Sequence, residues 1–159
     1  MKNKLVVGLC VLCFLVGTIA CSLNPGAQEV TGAEQDAVLD YAVPKTDNFL
    51  AGFNSGDYAV FSRDFEPKMA SALTESAFRT GTRPLVYDKI GAYVSRTVAL
   101  VEKQDPYTRV TYTARFERED GVTVRVVFEI ALDIEAISLR SNSLMIRPAG
   151  SSAAALIRK

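Results

Sequence analysis

Val110-Thr111-Tyr112-Thr113-Ala114-Arg115-Phe116, followed by Val122-Thr123-Val124-Arg125-Val126-Val127-Phe128, decides the fold of this chain. In both stretches an apolar side chain recurs at every second residue, which on an extended backbone places those side chains on one face. Two half-buried strands are expected. If Asp120-Gly121 were a two-residue turn, Phe116 would face Arg125, yet directly paired residues share a face and should match in polarity. A three-residue loop, Glu119-Asp120-Gly121, is therefore expected. It pairs Phe116 with Val124, Ala114 with Val126, Tyr112 with Phe128 and Val110 with Ile130, and leaves Gly121 left-handed beside a bulge.

The period of two extends outward from this hairpin. Upstream, Val94, Arg96, Val98 and Leu100 alternate with Ser95, Thr97 and Ala99, predicting a strand in which Leu100 opposes Val110 and Val98 opposes Tyr112, with Asp105-Pro106 as the turn. Downstream, the third strand continues through Ile130 and Leu132. A last strand carries Ile137 and Leu139, then Leu144 and Ile146, with a break or bulge at Ser141-Asn142-Ser143.

Residues before Tyr93 read as helices. Val38, Tyr41, Ala42, Phe49, Leu50 and Phe53 keep helical spacing across Pro44, as one kinked helix or two abutting ones, until Asn54-Ser55-Gly56. Asp57 suits the N-cap of a short helix burying Tyr58, Phe61 and Phe65. Glu66-Pro67 opens another with Met69, Ala72 and Leu73 inward, Thr74 caps the next around Ala77 and Phe78, and Pro84 and Gly91 frame a last one carrying Leu85, Val86 and Ile90. Helices first and strands afterwards indicate an α+β fold, with N-terminal short helices packed on one face of a curved antiparallel sheet of about four strands.

The start of the chain carries a different signal. Lys2 and Lys4 precede an apolar run from Leu5 to Ala20, and Thr18-Ile19-Ala20 leads into Cys21 and Ser22. These are the parts of an export signal, and a run of about sixteen residues is short for a bilayer span. The order resembles the bacterial lipobox, whose cysteine receives a diacylglycerol and further acyl chains such as palmitate, with Thr18 standing where Leu is usual. The expectation is a signal peptide over 1–20, then a lipidated Cys21 and flexible tether over 21–35. A single domain over 36–147 and a frayed tail over 148–159 would follow. The protein would then sit in the cell envelope, anchored through Cys21 on the extracytoplasmic side of a membrane. Two other readings stay open: the segment retained as a short tilted anchor, or a cut near Ala20 with no lipid.

Composition narrows the chemistry. The chain has no histidine, and its three cysteines, Cys10, Cys13 and Cys21, all lie in or at the end of the signal. An exported domain of this composition has no Cys/His zinc site, no Ser-His-Asp triad and no histidine base. Without the signal, 16 basic side chains stand against 18 acidic ones, which makes neither nucleic acid nor an anionic membrane an obvious electrostatic partner. No glycine-rich phosphate loop or metal-ligand spacing is present, so no cofactor and no metal is expected.

Phe53-Asn54-Ser55-Gly56-Asp57-Tyr58, then Phe61-Ser62-Arg63-Asp64-Phe65, then Met69 with Ser71-Ala72-Leu73, Ile90-Gly91 and three strands resembles the domain of unknown function 3887 over residues 36 to 140. That family occurs in bacterial and archaeal lipoproteins. The resemblance implies the cone-shaped α+β fold of the nuclear transport factor 2-like superfamily and brings no assigned activity.

The candidate pocket residues are Tyr58, Asp64, Arg96 and Tyr112. Arg96 stands out because a charge on an otherwise apolar strand face must find a carboxylate, reach the rim or bind an anionic ligand. Tyr112 shares that face and has a hydroxyl to offer a cavity, although a hydrogen-bonded core tyrosine is the commoner outcome. Asp64 reads as a cap or a partner of Arg63 or Lys68 before it reads as a catalytic acid. Arg115, Arg118 and Arg125 with Glu117 and Glu129 make a mixed-charge outer face. The favoured function is a non-enzymatic module that binds a small apolar ligand or a protein partner. The alternative is a small isomerase- or dehydratase-like enzyme using a carboxylate such as Asp64 with Tyr112.

Overall fold

In the computed structural model, which describes residues 26–129, 133–141 and 145–146, the alternating stretches form one antiparallel sheet with its strands side by side in chain order. They are β1 (Gln28–Glu29), β2 (Tyr93–Gln104), β3 (Tyr107–Phe116), β4 (Val122–Phe128), β5 (Ile134–Arg140) and β6 (Met145–Ile146). Among the described residues, the helices fall between β1 and β2: α1 (Ala33–Ser55), α2 (Tyr58–Phe61), α3 (Pro67–Ala72), α4 (Glu75–Ala77) and α5 (Arg83–Ile90). The fold is α+β, with four long strands flanked by two short ones.

The β3–β4 register differs from the expected one. Ala114 pairs with Val122, Tyr112 with Val124, Val110 with Val126 and Thr108 with Phe128, so each β3 residue meets a partner four positions earlier than the three-residue loop implies. An even slip keeps the even-numbered side chains inward. The cause lies at the end of β3, where the N–H groups of Glu117 and Arg118 donate to the carbonyls of Ala92 and Ile90 and that of Phe116 donates to Glu119. The Arg118 guanidinium also donates to the Tyr87 and Asp88 carbonyls. With these residues held by the α5–β2 junction, the connection is longer than expected; Gly121 is still left-handed, with φ 71°.

On β2, Val98 pairs with Tyr112 as expected, but a bulge between Val98 and Leu100 changes the phase, so Val110 meets Val101 and not Leu100. Val101 is buried in place of Leu100. The expected break after Leu139 is a reversal of the chain, because Leu139 and Arg140 pair with Ile146 and Met145 across the β5–β6 hairpin. Ile130, Leu132 and Leu144 lie outside the described residues. Part of the stretch 21–35, expected as tether, is built into the fold. β1 pairs with Lys103 and Glu102 of β2, the Val30 N–H donates to Val101, and α1 has begun by Ala33.

Helix boundaries follow local chemistry. α1 runs unbroken through Pro44 and stops at Gly56, whose left-handed backbone (φ 75°) lets its N–H reach the Gly52 carbonyl. The last carbonyls of α1 would otherwise lack donors, and Arg83 supplies them, to Phe53 at 2.8 Å and Asn54 at 3.0 Å. The Asp57 carboxylate caps α2 through the N–H groups of Ala59 and Val60, and Thr74 caps α4 through Ala77. Gly81 does not end a helix, since a π-helical turn over Phe78–Thr82 carries the chain from α4 into α5. Ala72 and Leu85 face solvent instead of the core. Met69 is the buried residue of α3, and Val86 and Ile90 are those of α5.

Contacts along α1 set its direction. Glu34 meets Lys103, Val43 and Asp47 meet Arg96, and Asn54 meets Tyr93, so the helix runs antiparallel to β2. Its inward stripe of Val38, Ala42, Thr46, Phe49, Leu50 and Phe53 lies over the sheet. Gly52 lets α1 and α2 approach closely, because a Cβ there would collide with the Phe61 backbone. Beside it Phe49, Phe61, Phe65 and Phe78 stack with centroids as close as 4.2 Å. A parallel bridge from Phe65 to Ile134 then ties the helical layer to β5.

Candidate functional site

Arg96 points to the helix side of β2, as its even position requires. Its side chain is only 9% exposed, so the charge needs compensation within the protein. The partners come from several elements. Asp47 on α1 takes a guanidinium N–H, the Val43 carbonyl takes another at 3.2 Å, and the Tyr93 hydroxyl a third at 3.3 Å. The guanidinium carbon also lies 4.9 Å from the centre of the Tyr112 ring, a cation–π contact. Burial opposes the charge, and the hydrogen bonds and attraction of Asp47 and Tyr93 together outweigh it, holding the Arg96 pKa above the ordinary arginine value.

Beneath Arg96, the Tyr112 hydroxyl lies 3.3 Å from Thr46 Oγ1, and that Thr46 hydroxyl donates at 2.7 Å to the Ala42 carbonyl. Thr46 has one hydrogen, so Tyr112 is the donor of the pair. Burial pushes the Tyr112 phenol up, against the lowering effect of Thr46 and Arg96. Tyr93 is fixed through its backbone, since the Asn54 side chain donates to the Tyr93 carbonyl at 2.9 Å and accepts from its N–H at 2.8 Å.

These residues line an open groove of about 390 Å³, walled by Val43 and Asp47 of α1 and by Tyr93, Val94, Ser95, Arg96 and Val98 of β2, with Tyr112 behind. Val94 and Val98 are 44% and 38% exposed, so the groove has an apolar track beside its charged centre.

Of the residues singled out in the sequence, Arg96 and Tyr112 meet in this groove and Asp64 and Tyr58 do not line it. Asp64 accepts from the Asn48 side chain at 2.8 Å, and its carbonyl accepts from the Ile134 N–H. Tyr58 donates to the Leu73 carbonyl at 2.7 Å and packs on Phe61 and Phe78. Both fasten the helical layer. The carboxylate of the groove is Asp47, which sequence reasoning missed, together with Val43 and Tyr93. Its signal was indirect: a cation on an apolar strand face calls for an acid beside an inward stripe, and Asp47 follows Thr46.

Among the described residues, no group of three His, Cys, Asp or Glu side chains is arranged to hold a metal, and no helix is long and apolar enough to cross a membrane. A family model described as protein of unknown function (DUF3887) matches residues 46–136, which takes in every residue of the groove except Val43. No curated protein and no solved structure matches the chain.

Proposed function

The chain belongs to the family described as protein of unknown function (DUF3887), and we propose that its domain is a non-enzymatic module that binds a small amphipathic molecule in the Arg96 groove. The observation that carries this reading is the pairing of exposed Val94 and Val98 with an ion-paired Arg96, its side chain 9% exposed, in an open groove. Binding sites combine an apolar lining with a few fixed polar groups in this way. The enzymatic alternative needs a carboxylate such as Asp64 beside Tyr112; Asp64 does not line the groove, and the carboxylate that does, Asp47, is paired with Arg96. Two finer statements belong to the same proposal. The long helix laid across the sheet, with an opening beside it, supports a cone of the nuclear transport factor 2-like kind. The lipobox-like order ending at Cys21 supports a lipoprotein held on the extracytoplasmic side of a membrane by acyl chains, with the domain only a few residues from the bilayer surface because β1 begins at Gln28.

Protein released from its own membranes by detergent tests the proposal with two readouts. Mass spectrometry of the N-terminal peptide is expected to show a diacylglyceryl group on Cys21, and a leader still attached or an unacylated start would overturn the anchor. After delipidation, the neutral fluorescent probe N-phenyl-1-naphthylamine is expected to bind saturably, and Val98→Lys to weaken it about tenfold without altering the melting temperature. Non-saturable binding, or binding indifferent to Val98→Lys, would overturn the module.

A further inference from the structure

We infer that the groove selects an amphiphile with an anionic head, a carboxylate above all, and that this head replaces Asp47 on Arg96. The inference deepens the binding reading above and rests on it.

The argument starts from an asymmetry within one ion pair. The Arg96 side chain is 9% exposed and that of Asp47 is 57% exposed. A buried guanidinium must keep an anion, whereas a carboxylate at the surface can exchange its partner for water at little cost. Asp47 is therefore the exchangeable half. The rest of the guanidinium is immobilised, by the Val43 carbonyl at 3.2 Å and by the Tyr112 ring beneath it. A carboxylate arriving from the groove meets a fork already oriented, with the entropy of fixing the arginine already spent in folding.

Two further features suit such a head. Tyr93 accepts from Arg96 through its hydroxyl oxygen, at 3.3 Å, and so keeps its own hydrogen to donate to an incoming oxygen. Val98 lies two residues from Arg96 on the same strand face, which on a strand is about 7 Å, and Val94, at the bulge between Tyr93 and Ser95, lines the same groove. An alkyl tail leaving the head lies on one of them at once. An anion without a tail would gain the charge contact and leave these valines in water, and an uncharged amphiphile would cover the valines and leave Asp47 in place. Only the combination uses both halves of the groove.

Decanoate and 1-decanol, alike in tail and different in head, separate the possibilities when each displaces N-phenyl-1-naphthylamine from the intact protein. Wild type is expected to bind decanoate more tightly than decanol. Asp47→Asn removes the internal competitor and is expected to raise the preference for decanoate over decanol about fivefold. Arg96→Gln is expected to bring decanoate down to the level of decanol. Equal binding of the two by wild type, weaker decanoate binding in Asp47→Asn, or an equal gain for decanol would overturn the headgroup inference while leaving the module intact. Displacement of the probe by neither compound would overturn the binding reading itself. Unchanged decanol binding shows that a variant is folded, so a variant that merely unfolds is recognised by losing both.

Discussion

Val98, Tyr112, Val124 and Leu139 form one cross-strand row on the helix side of the sheet, and the two valines meet opposite surroundings. Val124 is fully buried, whereas Val98 is 38% exposed. Val94, at the start of β2, is likewise 44% exposed. The difference comes from what lies above each strand. α1 places its inward stripe over the middle of the sheet, and the helical layer continues toward β5, where Phe65 bridges Ile134 and the Phe49, Phe61, Phe65 and Phe78 rings fill the space. Over the first half of β2 the flank of α1 reaches down through Val43, Asp47 and Asn54. One continuous apolar face is thus sealed at one side and left open at the other, and the open side holds the charge.

The sharpest way to break this comparison is at the sealed side. Phe78 is fully buried, with Phe61 at 4.2 Å and Tyr58 at 5.8 Å between ring centres. Phe78→Ala is expected to cost about 4 kcal/mol in a denaturant titration, because the cavity is enclosed by rings that cannot collapse into it. A loss below about 1 kcal/mol would mean that the sealed side is not a packed core. The paired valines give the next largest effect. Val124→Ala is expected to cost about 2.5 kcal/mol, the transfer of two methyl groups plus a residual cavity, and Val98→Ala less than about 0.5 kcal/mol. Similar costs for both would place a roof over the groove and remove the distinction.

Alternation alone made the inward face of β3 and β4 legible, since every even slip in register keeps Val110, Tyr112, Val124 and Val126 on one face. It made Val94 and Val98 look the same, because period two reports a face and says nothing of what covers it. The site was half legible for a related reason. Arg96 announces itself as a cation among apolar neighbours, but Asp47 becomes its partner only once α1 runs antiparallel to β2, a tertiary placement that helical spacing does not contain. The β3–β4 register went astray because Glu117 and Arg118 bond to the α5–β2 junction, far away in sequence. β1 left no pattern at all: two residues at a sheet edge pair through their backbones, and Gln28 and Glu29 are both exposed.

The smallest effect comes from the end of the sheet away from the groove, where Tyr107, Glu129 and Glu135 meet Glu66 and Lys68. Burial holds the Glu135 carboxyl above the usual glutamate range, with Glu129 and Glu66 adding to the shift and Lys68 opposing it; Glu135 in turn, with burial, raises the Tyr107 phenol. A carboxyl whose pKa is higher folded than unfolded binds its proton more tightly in the native state. Its contribution to stability is present below the unfolded value of about 4.3 and is lost as the pH rises through the folded value. Glu135→Gln keeps the side chain's shape and removes the charge, so it is expected to raise the melting temperature by about 2 °C at pH 7 and to leave it unchanged near pH 4. A variant equally stabilised at both pH values would show that packing, not charge, is responsible. Because this rim belongs to the sealed side, saturating decanoate is expected to leave the pH 7 difference intact, and a change in it on ligand addition would join the two ends of the sheet that the valine row separates.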